Sequence, residues 1–199
     1  MTVIGLTGKT GSGKSSVCAE LKKTNIVYII DTDVLARKIV EKDMPALNEL
    51  CGFFGGDILN GDGTLNRKAL AKKAFSSEES TEKLNSITHP YITKEVGKEI
   101  EFAKENGYEF CVIDAAALLE SDCKSFCDVI AVVAADEQTR LERILERDSL
   151  DNDSALQRIR AQKNDEYYFK NADIIIMNEG GGSVSESARK LLDFAKGKI

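Results

Sequence analysis

The stretch GKTGSGKS at residues 8–15 decides the fold of this chain. It follows a short apolar run at residues 3–6 and precedes a helix-period stretch at residues 15–23. The pattern G-x-x-x-x-G-K-[ST] between a strand and a helix is typical of a phosphate-binding loop. Its glycines let backbone N–H groups approach phosphate oxygens, and the following helix adds the positive end of its dipole. The candidate nucleotide-binding residues are Gly11, Ser12, Gly13, Lys14, Ser15 and Ser16.

Two side chains of this loop suit a nucleotide that carries Mg²⁺. Lys14 would place a point charge on the β- and γ-phosphates, and the Ser15 hydroxyl could ligate the metal ion. Asp114 ends the apolar run at residues 110–113, where an acidic residue often approaches Mg²⁺ directly or through water. Capping of the next helical turn is the alternative role for Asp114.

Five short apolar runs indicate the strands of a sheet. Each run is nearly all apolar, which is typical of parallel strands that are covered on both faces. Amphipathic stretches lie between them, and this alternation predicts an α/β fold with a five-stranded, parallel, doubly wound sheet. The runs lie at residues 3–6, 26–30, 110–113, 129–133 and 174–177, and the amphipathic stretches at 15–23, 34–42, 90–104, 137–147 and 184–196.

One long interval, between residues 31 and 108, contains no convincing core strand. Residues 44–88 predict short helices joined by a turn-rich stretch at 55–63. We expect a helical insertion at the carboxyl edge of the sheet, where open α/β sheets bind their ligands.

Composition and charge disfavour several classes of protein. The net charge is −6, with +1 on the first hundred residues and −7 on the rest, so we expect no nucleic-acid partner. No apolar run reaches 18 residues and the first residues have no basic region, so we expect a cytoplasmic protein without a membrane segment. Five cysteines without a C-x-x-C pair, and a single histidine, favour reduced thiols over a zinc site.

A phosphate loop is shared by GTPases, motor ATPases and small-molecule kinases. The guanine-reading segment Asn/Thr-Lys-x-Asp does not follow the run at 129–133, and the chain is too short for a large ATPase, which leaves a small-molecule kinase. The second apolar run ends in DTD at residues 31–33. A carboxylate there, on Asp33, could accept a proton from an attacking hydroxyl, or it could cap the helix predicted at 34–42.

The chain resembles the dephospho-coenzyme A kinase family over nearly its whole length. The resemblance implies that ATP donates its γ-phosphoryl group, with Mg²⁺, to the ribose 3′-hydroxyl of dephospho-CoA in the last step of CoA synthesis. Besides the loop, the matching pieces are DTDVLAR at 31–37, DGTLNRKAL at 62–70, LN at 84–85, HPYI at 89–92, DAAALLE at 114–120, Arg143, RD at 147–148, RIRAQ at 158–162 and ADIIIMN at 172–178.

The resemblance also implies domains and residue roles. It implies a nucleotide-binding core at residues 1–31, 96–136 and 164–199, a helical CoA-substrate domain at 32–95 and a lid at 137–163. The implied catalytic residues are Asp33, Lys14 and Arg143. The resemblance adds Arg143 and Asn178 to the ATP-binding candidates of the loop. The implied contacts of dephospho-CoA are Asp33, Arg37, Arg67, His89 and Leu118.

The residues alone leave several of these roles open. Arg143 shares a helix face with Arg140 and Arg147, a face that could clamp phosphates or be solvated and paired with glutamates. His89 precedes Pro90, which suits a first helical turn, so we expect a helix to begin there. Asn178 and the glycines at 180–182 follow the last strand and could line an adenine pocket or form a plain loop.

Two departures from the family pattern stand out. Lys9 and Thr10 replace the usual Gly-Ile of the loop, and Lys9 could add charge near the phosphates or face water. Ala116 replaces a proline. The alternative functions are another small P-loop kinase, acting on a nucleoside, nucleotide or sugar, and a non-catalytic nucleotide-binding regulator.

Overall fold

The computed structural model describes residues 1–179 and 183–198. The chain divides into two compact units, one formed by Met1–Ile30 with Ile100–Ile199 and the other by Asp31–Glu99. Among the described residues, no helix combines the length and the apolar character needed to cross a membrane.

The sheet has the predicted five strands. The strands are β1 (Thr2–Gly8), β2 (Val27–Asp31), β3 (Phe110–Asp114), β4 (Val129–Ala134) and β5 (Ile174–Met177). The ladders are parallel between β1 and β3, β1 and β4, and β4 and β5. The spatial order is β2-β3-β1-β4-β5, so the α/β fold with a five-stranded parallel sheet is confirmed.

The position of β1 explains where a ligand would bind. β1 pairs with β3 on one side and with β4 on the other, so the strand order reverses beside it. In open α/β sheets the crevice outside the carboxyl ends of the strands at such a switch point is the usual binding site. The phosphate loop follows β1 directly and therefore lies at this place.

Nine α-helices lie in the described part of the chain. Three short 3-10 helices, at Gly56–Ile58, Leu118–Glu120 and Asp122–Phe126, complete the regular structure of the same residues. The α-helices are α1 (Lys14–Lys22), α2 (Thr32–Lys38), α3 (Pro45–Phe54), α4 (Arg67–Ala74), α5 (Glu78–Glu105), α6 (Glu137–Asp148), α7 (Asn152–Arg160), α8 (Asp165–Lys170) and α9 (Val184–Lys196).

The core of the larger unit fixes the strand that leads into the phosphate loop. All seven residues of β1 are buried. Leu21 of α1 and Leu191 of α9 belong to the same buried cluster as Ile4 and Leu6. Burial of each such side chain stabilises the fold by about 1.5–3 kcal/mol. The loop therefore extends from a strand that is buried along its whole length.

In the smaller unit, the helix predicted to begin at residue 90 begins instead at Glu78 and runs through Pro90, so that prediction is wrong. An interior proline costs about 3 kcal/mol, because one backbone hydrogen bond is lost and the ring clashes with the preceding turn. On either side of it, Ile87 is buried and Tyr91 is partly buried in the apolar cluster of this unit. Burial of large apolar side chains, about 1.5–3 kcal/mol each, offsets that cost.

The helix expected over residues 34–42 is also different. α2 begins at Thr32 and ends at Lys38. Ile39 and Val40, which follow it, are buried in the same apolar cluster, which draws the chain away from the helix axis.

Candidate active site

Left-handed glycines shape the phosphate loop. Gly11 has φ +78° and Gly13, the N-cap residue of α1, has φ +89°. A Cβ atom on Gly11 would lie 2.6 Å from the backbone oxygen of Arg140, and one on Gly13 would lie 2.0 Å from Nδ2 of Asn178. Only glycine fits these two positions, because both the backbone conformation and the available space exclude a side chain.

The lysine of the loop pairs with the carboxylate at the end of β3. Lys14 Nζ donates to Oδ1 of Asp114, and the Cys18 thiol donates to Oδ2 of the same carboxylate at 3.1 Å. Lys14 and Cys18 are one turn apart on α1 and therefore share a face of the helix. Asp114 thus contacts the loop lysine, whereas the 3-10 helix at Leu118–Glu120 has no side-chain cap. The alternative role of Asp114 as a cap of the next helical turn stays a prediction.

The Cys18 thiol is held in its neutral form. Burial raises the pKa of Cys18, and the charge of the Asp114 carboxylate beside it raises that pKa further. A neutral thiol has a proton to donate, which matches its hydrogen bond to Asp114. Sequence reasoning did not identify this residue, although its spacing of four from Lys14 was visible.

Arg143 lies on the carbonyl side of the phosphate loop. Its Nη1 donates to the backbone oxygens of Gly11 and Ser12, at 3.2 Å each, and its Nη2 donates to the backbone oxygen of Asn178 at 3.0 Å. Asn178 is buried, and its Nδ2 donates to the Ser12 oxygen at 3.0 Å. Both predicted ATP-binding residues thus brace the loop backbone, while their contacts with ATP stay predictions.

Lys9, a loop residue that departs from the family pattern, forms an ion pair. Lys9 Nζ donates to Asp165 Oδ1 of α8 at 2.8 Å, and the Lys9 side chain is only 13% exposed. The expectation that Lys9 faces water is therefore wrong, while a charge of Lys9 near the phosphates stays a prediction. Beside it, the Thr10 N–H donates to Oε1 of Gln162 at 2.9 Å. Gln162 was visible in the sequence as the last residue of RIRAQ but was given no role.

The three arginines predicted on one face of α6 have different surroundings. Arg140 is 2% exposed and therefore buried, Arg143 binds the loop, and Arg147 pairs with Asp148 through Nε at 2.7 Å. Asp148 also accepts from Arg158 at 2.6 Å. The interpretation as a solvated stripe paired with glutamates is therefore wrong for Arg140 and Arg143, while the phosphate clamp stays a prediction.

In the smaller unit, the cap of α2 belongs to Asp31. Its Oδ1 accepts from the backbone N–H groups of Asp33 at 2.9 Å and Val34 at 3.1 Å. The interpretation of Asp33 as the cap of this helix is therefore wrong. Asp33 is exposed in the first turn of α2, and Arg37 is exposed one turn later on the same face.

The remaining predicted substrate contacts have different surroundings. Arg67 is exposed at the start of α4, which Asn66 caps by accepting from Ala69 N at 3.0 Å. His89 is half-buried inside α5 rather than at its start. Leu118 is fully buried, so its side chain offers no surface to a substrate in this structure. The glycines at 180–182 lie outside the described residues.

The donor set at the loop fits Mg²⁺. Ser15 is exposed and contributes one hydroxyl, and Asp114 contributes one carboxylate. The described residues contain no group of three or more His, Cys, Asp or Glu that could hold a metal ion by themselves. Mg²⁺ takes few protein ligands and keeps water and nucleotide phosphate oxygens as the others, so a hydroxyl and a carboxylate suffice.

A parallel sheet with a phosphate loop at its switch point, its lysine paired with an acidic residue at a strand end, defines a P-loop nucleotide-binding protein. Without a guanine-reading segment after β4, its class is that of the P-loop small-molecule kinases. Solved structures agree on this fold. A Thermus thermophilus protein has a TM-score of 0.81 and 28% identity over 100% of this chain and 97% of its own. Shikimate kinase from Acinetobacter baumannii, in complex with shikimate, has a TM-score of 0.57 over 99% and 94% of the two chains, at 15% identity.

The particular family follows from sequence comparison. The family model described as dephospho-CoA kinase matches residues 2–183, so the chain belongs to the dephospho-CoA kinase family. It is 46% identical to the dephospho-CoA kinase of Corynebacterium efficiens over 90% of each chain. It is 38% identical to that of Halalkalibacterium halodurans over 98% of this chain and 95% of the other.

Proposed function

We propose that this chain transfers the γ-phosphoryl group of ATP to the ribose 3′-hydroxyl of dephospho-CoA, giving CoA and ADP. Family membership over residues 2–183 supports the reaction and its substrates. The observation that carries the chemistry is the contact of Lys14 with Asp114, which brings a cation and a metal-ligating carboxylate together at the phosphate loop. Phosphoryl transfer needs such positioning and charge stabilisation more than covalent chemistry.

Lys14 and Asp114 exchange partners when the nucleotide binds. Lys14 turns to the β- and γ-phosphate oxygens, where its charge stabilises the transition state. Asp114 then orients the metal ion, directly or through water, and Ser15 supplies a hydroxyl ligand. Mg²⁺ held by Ser15 and Asp114 would help to neutralise the negative charge of the transferring phosphoryl group.

Asp33 is the proposed general base. It accepts the proton of the 3′-hydroxyl while that oxygen attacks the γ-phosphorus. Its place in α2 supports this role, because Asp31 already caps the helix and Asp33 is exposed. Arg37, on the same face, would bind the substrate's phosphates, and Arg67 and His89 would contact the rest of dephospho-CoA.

Arg143 and Asn178 hold the loop in its phosphate-binding shape. Three backbone oxygens accept from Arg143, and one of them also accepts from Asn178. Both residues thereby stand at the nucleotide side of the proposed site. Residues 32–95 are the proposed CoA-substrate domain, and 137–163 are the proposed lid.

Product identification tests the function. The protein is incubated with ATP, Mg²⁺ and dephospho-CoA, and the product is examined by mass spectrometry and compared with authentic CoA. A panel of nucleosides, nucleotides and sugars runs in parallel under a coupled ADP-release assay. Faster turnover with any of these acceptors would assign another small-molecule kinase. ATP binding without phosphorylation of any acceptor would assign a nucleotide-binding regulator.

A further inference from the structure

The phosphate loop has a second set of side-chain contacts besides the one made by Arg143 and Asn178. Those two residues hold the later part of the loop, at residues 11–12. The earlier part, at residues 9–10, contacts residues 162–165 instead, which lie between α7 and α8 and include the first residue of α8. All of these residues belong to the larger unit. The mechanism above gives residues 162–165 no part.

The side-chain amide of Gln162 fixes one peptide group of the loop. The Thr10 N–H donates to Oε1 of Gln162 at 2.9 Å, and Gln162 is half-buried. This N–H belongs to the planar peptide group between Lys9 and Thr10, so the contact sets the direction in which that whole group faces. The Thr10 N–H is thereby separated from those that the loop could direct at a phosphate.

The ion pair of Lys9 and Asp165 fixes the neighbouring residue. Nζ of Lys9 lies 2.8 Å from Oδ1 of Asp165, and the Lys9 side chain is 13% exposed. An ion pair with one partner so well covered is screened less by salt than a fully exposed pair. The Lys9 backbone oxygen also accepts from the Ser12 N–H at 3.1 Å, which links Lys9 to the later part of the loop. Two adjacent loop residues are thus attached to one short segment.

A loop that is already in its binding shape favours phosphate binding. Its backbone N–H groups must all face the phosphate oxygens at once, and a loop that becomes ordered only on binding loses affinity. The contacts of Gln162 and Asp165 restrain the part of the loop that Arg143 does not reach.

We propose that Gln162 and Asp165 are positioning residues, which hold residues 9–10 of the phosphate loop in the shape that binds a nucleotide. The inference rests on the proposed function only in that a nucleotide occupies the loop, and it does not depend on the phosphoryl acceptor. It differs from a direct role of Lys9 at the phosphates. In a direct role, Asp165 would compete with the phosphates for Lys9, and removal of its carboxylate would strengthen binding.

ADP is the probe, and titration calorimetry of the whole protein with Mg²⁺ measures its affinity without any acceptor. Asp165→Ala should weaken ADP binding by about three- to tenfold, because the ion pair is lost and Lys9 is no longer held. Glu166→Ala is the matched control, since it removes an exposed carboxylate from the same first turn of α8 and changes the net charge equally. It should leave the ADP affinity unchanged.

The amide contact has its own pair of variants. Gln162→Met keeps the length of the side chain but removes the acceptor of the Thr10 N–H, so it should also weaken ADP binding by about three- to tenfold. Gln157→Met, at an exposed position of α7, should not.

The ion pair is tested further from the side of Lys9. Lys9→Met should weaken ADP binding as Asp165→Ala does, and the two substitutions together should weaken it no more than the stronger one alone, because both break the same pair. Lys9→Arg keeps the positive charge and should restore most of the affinity.

The melting temperatures of the unliganded variants separate positioning from a purely structural role. A lower melting temperature with unchanged ADP affinity in both Asp165→Ala and Gln162→Met would overturn the proposal. Tighter ADP binding by Asp165→Ala would overturn it in favour of a direct role of Lys9. Additive losses in the double variant would show that Lys9 and Asp165 do not act as a pair, which would also contradict it. A wild-type protein that binds no ADP would contradict the proposed function itself, and this inference with it.

Discussion

The ammonium group of Lys14 donates to the carboxylate of Asp114, so the loop lysine and the acidic end of β3 neutralise one another. Both side chains are largely buried, with 17% and 13% of their surfaces exposed. In the proposed function, phosphate oxygens and Asp114 would compete for the charge of Lys14. We therefore expect Asp114 to affect both nucleotide affinity and catalysis.

Asp114→Asn separates these two effects. Asparagine keeps the volume but removes the charge, so Lys14 is free to bind phosphate while the metal ion loses its carboxylate. ATP should bind more tightly than in the wild type when Mg²⁺ is absent, and turnover with Mg²⁺ should fall by about 10²-fold. Titration calorimetry with EDTA and steady-state kinetics measure the two quantities. Asp122→Asn, at an exposed position of a 3-10 helix, is the matched control. Unchanged turnover in Asp114→Asn would remove Asp114 from the metal site.

Asp33→Asn tests the proposed base. The variant should fold with an unchanged melting temperature and still bind Mg·ATP. Loss of a general base commonly lowers turnover by about 10²- to 10⁴-fold, and we expect a fall in the lower half of that range. The loose transition state of phosphoryl transfer requires less help from a base, which is why we expect the lower half.

Asp31 provides the comparison, because it caps α2 through the N–H groups of Asp33 and Val34. Asp31→Asn keeps an acceptor oxygen and should change little, whereas Asp31→Ala should lower the free energy of unfolding by about 1 kcal/mol. The measurements are kcat, the ATP dissociation constant and the melting temperature of all three variants. Near-normal turnover in Asp33→Asn would show that Asp33 is not the general base, and Asp31 would be the next candidate.

Arg143→Lys tests the brace on the phosphate loop. Lysine lacks the planar fork that reaches three backbone oxygens at once, so most of these hydrogen bonds should be lost. We expect a fall in kcat larger than the rise in KM for ATP, because a looser loop positions the phosphates poorly in the transition state. Arg147→Lys, at an exposed position on the same helix, should have a much smaller effect. A pure rise in KM would instead mark Arg143 as a binding residue only.

Cysteine alkylation tests the electrostatics near the loop. Burial and the Asp114 carboxylate raise the pKa of Cys18, and burial with neighbouring cysteine and aspartate groups raises the pKa of Cys127 to about 12. A raised thiol pKa favours the neutral form, so both residues should stay protonated up to at least about pH 9 and react slowly, since the thiolate is the nucleophile. Iodoacetamide labelling of the folded protein at pH 8, followed by peptide mass spectrometry, measures the rates. Cys51, which is only half-buried, provides the internal comparison and should react first. Faster labelling of Cys18 than of Cys51 would contradict the arrangement around Asp114.

Local patterns determined the fold and the class of this protein. The glycines at positions 11 and 13 permit the left-handed conformations seen there, because only glycine adopts them at low cost. The five apolar runs correspond to the five strands, because the apolar pattern of adjacent residues is enough to predict a buried strand. The sequence also contained the family motifs that the comparison later matched over residues 2–183.

Only the tertiary structure decided which partner each ionisable side chain takes. Lys9 and Asp165 are 156 positions apart in the chain, and Lys14 and Asp114 are 100 apart. Periodicity placed three arginines of α6 on one face, but their surroundings differ: Arg140 is buried, Arg143 binds the phosphate loop and Arg147 pairs with Asp148. Charge, size and hydrogen-bonding capacity belong to the residue itself. Its partner depends on how distant segments pack, because hydrogen bonds and ion pairs form only between atoms within about 4 Å.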